Sequence, residues 1–130
     1  MSEVENTEVN PGEALFDLPG APTKVQVEEW KQKFGEVFCS GFSGTEVFVF
    51  RPLQRQEFVN LQVTVANAGG QMTQFQIEED TVKRCTLWAS TDGEKALVIK
   101  AGTLSALHEQ ILQNSNFVNP SMASVLVVKL

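Results

Sequence analysis

The sequence predicts an α+β domain. Its centre is a small antiparallel sheet, built from a β-hairpin with the C-terminus as one source of a third strand. Three to four helices pack the sheet, and an extended acidic N-terminal arm precedes it. Three observations lead there. Two apolar runs, Glu36–Phe42 and Thr45–Arg51, flank a Ser43-Gly44 turn and read as a hairpin. Several other stretches carry apolar residues at three- and four-residue spacing, the mark of a helix with one buried face. Between the two kinds of segment stands Arg51-Pro52. Proline disfavours helix in the residue before it and is tolerated in a helix's first turn, so the Val47–Phe58 stretch reads as a strand that switches to a helix.

Composition sets the outer bounds. At 130 residues the chain is one domain with a tail, and a 42% hydrophobic fraction is enough for a core. The formal net charge is −6 and is unevenly spread. Residues 1–20 hold five acidic side chains (Glu3, Glu5, Glu8, Glu13, Asp17) and no Lys or Arg, leaving ten basic and eleven acidic side chains for the remaining 110 residues. No basic stripe is available to neutralise phosphates, so neither nucleic acid nor an anionic membrane surface is expected as a partner. Apolar runs stay well short of the roughly 18 residues of a transmembrane helix. The acidic N-terminus lacks the basic and apolar regions of a signal peptide, so the expected compartment is the cytosol. In that reducing setting Cys39 and Cys85 are read as buried free thiols.

Taken in order, Met1–Gly12 is acidic and polar and lacks apolar periodicity; it is expected to be disordered alone. Glu13–Asp17 suits one helical turn, with Ala14, Leu15 and Phe16 available for docking. Leu18-Pro19-Gly20-Ala21-Pro22 is a breaker cluster, so residues 1–22 are read as arm and linker, 23–118 as the domain, and 119–130 as an apolar segment that docks on the domain or on a neighbour. Thr23–Phe34 reads as a helix, because Val27, Trp30 and Phe34 share a face and Gly35 suits its C-terminal stop. The hairpin follows. Its apolar residues fall on both faces instead of alternating, so either both faces are covered or one is an interaction surface. Leu53–Ala68 carries both a helical and a two-residue period; helix is expected, ending before Gly69-Gly70. Met72–Ala89 contains a further helix, with Ile77, Thr81, Cys85 and Trp88 on one face and basic residues late, as the helix dipole favours. Ser90–Gly93 is read as a turn and Ala96–Ile99 as a short strand or loop. Thr103 is read as the N-cap of a helix to about Gln113, burying Leu104, Leu107 and Ile111. Ser121–Leu130 is largely apolar up to its last residue and is an aggregation hazard unless it docks.

Chemistry-bearing motifs are sparse. His108 is the single histidine and is placed among exposed helical positions, with no nucleophile at a supporting spacing. One His and two distant Cys do not make a zinc site. Glu78, Glu79 and Asp80 fan out around a helix and do not converge on one cation. Neither Gly69-Gly70 nor Gly41–Gly44 has the Lys-Ser/Thr of a phosphate loop. Cys85 lies on an apolar helix face, so an inert thiol is expected. No catalytic residue, metal ligand or cofactor is therefore assigned. Arg51 and Arg55 either fix the strand–helix corner, with Glu57 as Arg51's partner, or form a basic contact for an acidic partner.

The order of elements adds a resemblance. A helix with Trp30 leads into the strand pair, then Phe50-Arg51-Pro52-Leu53 with Arg55 and Glu57; acidic residues precede Val82-x-x-Cys85-x-Leu87-Trp88, and a Leu-rich helix closes the series. Over about residues 24–117 this resembles small proteins of tailed bacteriophages: tail assembly chaperones and neighbouring structural-module proteins. The resemblance implies a non-enzymatic role in virion assembly, in the host cytoplasm, with phage tail or other virion proteins as partners and self-association as a further expectation. The leading expectation is a chaperone that binds apolar segments of a tail protein. The alternative is a component retained in the virion (capsid, connector, tail or baseplate) that contacts neighbours through its arm and C-terminus. The residues expected to carry protein contacts are Phe38, Phe42, Phe48, Phe50, Arg51, Arg55, Val125 and Val127.

Overall fold

A computed structural model describes residues 11–117 and Lys129. The arm before residue 11, and Val125 and Val127 in the C-terminal segment, lie outside the described residues. Helical turns over Pro11–Ala14 and Leu15–Asp17 lead to α1 (Lys24–Phe34), β1 (Phe38–Gly41), β2 (Val47–Phe50), α2 (Arg55–Asn67), α3 (Gln74–Cys85), β3 (Thr86–Ala89), α4 (Thr91–Ile99) and α5 (Thr103–Asn114). The α+β expectation holds, with five helices of nine residues or more among the described residues where three to four were expected.

The central strand is β2. It pairs antiparallel with β1 on one side and with β3 on the other. All four of its residues are at most 1% exposed, which resolves the two-faced apolar pattern. Phe48 and Phe50 face a core made with Val82 and Cys85 of α3 and Leu104, Leu107 and Ile111 of α5. Val47 and Val49 face a second, smaller cluster with Leu15, Trp30, Val37, Leu87 and Trp88. Both faces of β2 are covered by the chain itself, so a continuous apolar run is what this strand requires, whereas β1 is only partly covered.

The third strand comes from an unexpected place. The reading of Met72–Ala89 as helix is right only to Cys85; Thr86 adopts φ −76° and ψ 119° and the chain runs on as β3. Cys85 and Trp88, three apart, imitate a helical face. Thr86, Leu87 and Trp88 are nonetheless good strand residues, and β2 has an edge to fill. Register slips between Val49 and Phe50, where Trp88 opposes Val49 and Thr86 opposes Phe50. The bulge lets both Leu87 and Trp88 join the smaller cluster.

Further expectations are corrected. Leu15 is 4% exposed in the smaller cluster, and the Trp88 indole N–H donates to the Gly20 carbonyl at 2.9 Å. The packed chain therefore begins before the Leu18–Pro22 cluster, not after it, because the Val47/Val49 face needs cover. Ser90–Gly93 is not a free turn: Ser90 is the N-cap of α4, and Ala96–Ile99, read as strand or loop, is helical. The N-cap of α5 is Gly102, one residue before the expected Thr103. By contrast, the helix read over Thr23–Phe34 is present as Lys24–Phe34, with Thr23 as its N-cap accepting from the Gln26 N–H, and Gly35 ends it at φ 87°, a backbone that L-residues with a side chain rarely adopt.

Ser90 also stitches β2 to α4. Its hydroxyl accepts the N–H groups of Val47 and Gly93, both at 3.0 Å, and donates to the Thr45 carbonyl at 2.6 Å. Ser90→Ala removes a cap and orphans the buried Val47 N–H, for an expected loss of about 2 kcal/mol in denaturant unfolding. A change within experimental error would refute that role.

Candidate functional site

The residues singled out from sequence separate into two groups. Phe48, Phe50 and Arg51 are interior, at 0%, 1% and 8% exposure, so their partners are within the chain and they offer no docking surface. Their apolar or charged character was legible, but the elements that cover them were not. Phe38 is half-buried, its ring stacked on Phe50 at 5.6 Å between centroids. Phe42 remains on the surface, edge-on to Phe48 at 5.7 Å. Arg55 is exposed in the first turn of α2.

Arg51 is the best-defined polar feature. Its two terminal nitrogens donate to the two Glu57 carboxylate oxygens at 2.7 and 2.8 Å. The same nitrogens reach the Pro52 carbonyl at 3.1 Å and the Arg84 carbonyl at 2.9 Å, while the guanidinium lies 4.8 Å over the Phe34 ring. Arg84 is in the last turn of α3, where carbonyls lack helical partners and the dipole favours a cation. Glu57 closes the arrangement by accepting from the Gln54 N–H, as the capping box of α2. The hydrogen bond from Arg51 is the main reason its carboxyl sits below the usual carboxylate range. Of the two readings of Arg51, this is the corner-fixing one: a single fork joins α1, α2, α3 and the end of β2.

Of the titratable groups that suggest catalysis, Cys85 and His108 are buried and Cys39 is half-buried. Burial pushes both thiols, Cys39 and Cys85, up to about 11, which suppresses thiolate at neutral pH. They are free cysteines packed in the clusters on opposite faces of the sheet. His108 corrects the expectation of a surface histidine: it is 8% exposed, next to Leu107 on the face that α5 turns to α3. Burial depresses its pKa, against the opposing pull of Glu78 and Glu109. A base whose pKa is lower folded than unfolded contributes stability that is full above the ordinary histidine range and is lost as pH falls through the depressed value. Melting temperature is therefore expected to fall between pH 7.5 and about pH 5. The fall should shrink in His108→Gln; an unchanged pH profile in that variant would contradict the assignment. Glu78 accepts from the Ser105 hydroxyl at 2.7 Å and Asp80 pairs with Arg84, so the acidic run makes lateral contacts with no shared focus. Among the described residues no group of three His, Cys, Asp or Glu is placed to hold a metal ion.

The open apolar surface lies elsewhere. A groove of about 310 Å³ runs between α3, α4 and the start of α5, floored by Val82, Leu97 and Leu104 and flanked by Phe75 and Val98. Phe75 is 58% exposed, Val98 86% and the adjacent Ile99 76%. Glu79, Lys83 and Glu94 form its charged margin. Comparison with family models, curated proteins and solved structures finds no match. The groove is thus read from its own chemistry. Sequence reasoning passed over it for two reasons. Phe75 lies off the buried face of α3, and Val98 and Ile99 were assigned to a strand or loop, where their exposure on a helix could not be anticipated. Among the described residues no helix is long and apolar enough to cross a membrane.

Proposed function

We propose that the chain is a non-enzymatic bacteriophage assembly protein, a tail assembly chaperone acting in the host cytoplasm on apolar segments of a tail protein. The observation that supports this reading most directly is the Phe75–Val98 groove. It presents large apolar side chains to solvent beside a tightly packed core, a pattern typical of protein-docking surfaces. Its margin carries two carboxylates and one ammonium, which favours an apolar segment flanked by basic residues. The central strand β2, buried within the chain, is not part of this surface. The buried Cys85 and His108, and the raised pKa of the half-buried Cys39, agree with a role without covalent chemistry.

Co-expression with the phage tape-measure protein is expected to raise that protein's soluble fraction severalfold. The double variant Phe75→Glu/Val98→Asp is expected to abolish the gain with a melting temperature within about 3 °C of the parent, since both side chains are largely exposed. No solubilisation by the parent chain would remove the chaperone reading. Recovery of the chain in stoichiometric copies from purified particles would replace it with that of a retained virion component.

A further inference from the structure

The groove between α3, α4 and α5 has walls of one kind. Every residue that lines it belongs to a helix. Backbone N–H and C=O groups inside a helix are spent on its own i→i+4 bonds, so the groove offers an entering chain few main-chain partners. An extended segment laid over Val82, Leu97 and Leu104 would bury N–H and C=O groups with nothing to bond them, which is costly. A helix arrives with its main chain already satisfied. The length of the groove agrees. Phe75 and Val82 mark the ends of the apolar wall on α3, and seven residues of helix span about 10 Å, or two turns. Two turns of an entering helix present side chains at i, i+3 or i+4, and i+7 on one face, which suits a floor held between the Phe75 and Val98 rims.

The margin adds a charge rule. Glu78 and Asp80, just off the groove, are bonded to the Ser105 hydroxyl and to Arg84. Glu79, Lys83 and Glu94, which line it, have no side-chain hydrogen bond or ion pair among the described residues. Two uncommitted carboxylates thus face one ammonium, in a chain whose net charge is −6. Cations on an occupant are attracted to this margin and anions are repelled by it. We propose that the groove takes an amphipathic helix of about two turns, with Lys or Arg flanking its apolar stripe where it meets Glu79 and Glu94. The proposal rests on the reading of this groove as the docking surface and adds the conformation and charge of what docks there.

The test titrates the full-length chain against a fluorescein-labelled, alanine-based peptide of about four helical turns, with leucine at i, i+3, i+4 and i+7 and lysine on both flanks of that stripe. Two related peptides replace the lysines by glutamate, or two solvent-facing alanines by proline, which breaks the helix and keeps the leucines and charges. Fluorescence anisotropy is expected to show the lysine peptide binding about tenfold or more tightly than either relative. Phe75→Glu/Val98→Asp is expected to abolish that binding. Glu79→Lys/Glu94→Lys is expected to invert the preference between the lysine and glutamate peptides. Glu29→Lys/Glu36→Lys makes the same change in net charge at exposed positions in and just after α1, whose Trp30 packs on the other face of the sheet, and is expected to leave the preference as it is. Equal binding of the proline peptide would make the occupant extended and overturn the proposal; so would equal binding of the glutamate peptide, or no inversion in the Glu79/Glu94 variant. If the lysine peptide does not bind while the parent chain still solubilises the tape-measure protein through Phe75 and Val98, this inference falls and the chaperone reading stands. Binding in the expected order without solubilisation sustains the inference and removes the chaperone reading.

Discussion

Arg51→Ala is expected to lower stability by about 3 kcal/mol, the cost of breaking an enclosed ion pair from one side. The Arg51 and Glu57 side chains are 10% and 20% exposed, so water compensates the abandoned carboxylate poorly. The variant also strips donors from the Pro52 and Arg84 carbonyls and a cation from the Phe34 ring. For a domain of this size the loss corresponds to a drop of about 10 °C in melting temperature. Arg51→Lys should recover only part of it, because an ammonium keeps the charge but not the two-pronged fork. Lys95→Ala, at an exposed helical position, is expected to stay within about 0.5 kcal/mol of the parent. Urea unfolding of the three variants decides the matter, and equal midpoints for Arg51→Ala and Lys95→Ala would remove the central role given to the corner.

The same pair carries a pH signature. Glu57 titrates lower in the fold than in the unfolded chain, principally through the Arg51 hydrogen bond. Its contribution is full above the ordinary carboxylate range and is lost as pH falls through the depressed value. In Arg51→Ala this acid limb should flatten. Its window lies below that of His108, whose burial acts nearer neutrality, so the two variants alter different parts of one stability profile.

What the sequence discloses here depends on whether the deciding interaction is local. The stop at Gly35, the Ser43-Gly44 hairpin and the passage from strand to helix around Pro52 are written within a few residues, and each appears in the structure, although the helix begins at Arg55 and not at Leu53. The Arg51–Glu57 pair spans six residues and was also within reach. Segments whose state is set by distant partners were misread. Thr86–Ala89 continues a helical pattern, and only the open edge of β2 makes it a strand. Ser90 reads as a turn residue until Thr45 and Val47, more than 40 residues earlier, are placed against its hydroxyl. His108 is polar and helical, hence assigned to solvent, yet Leu107 and Ile111 orient α5 so that it is enclosed with them. The candidate site suffers most from this rule. Phe48 and Phe50 are the most conspicuous aromatics of the sequence and form the interior, whereas Phe75 and Val98 draw no notice until helix packing leaves them outside.

Phe48→Ala is expected to be the most damaging single substitution, at about 4 kcal/mol or a fall of about 15 °C in melting temperature. Phe48 is fully buried at the start of the central strand, between α3, α5 and α4. The space around it is unusually constrained: a Cβ built on Gly93 would stand 3.1 Å from the tip of the Phe48 ring and 3.0 Å from the Ser90 hydroxyl. The first turn of α4 therefore needs glycine because of the ring. Gly93→Ala alone should cost about 1–2 kcal/mol by overpacking, although alanine is ordinarily the better helix former. In a Phe48→Leu background, where the ring tip is gone, the same Gly93→Ala change should cost less or become stabilising. Such non-additivity is the signature of two residues in direct contact. Phe42→Ala, which removes the exposed ring edge-on to Phe48, should cost about 1 kcal/mol. If the Phe48 and Gly93 effects simply add in a double-mutant cycle, the packing of α4 on β2 is not what fixes Gly93. The bond network at Ser90 then remains to account for that position.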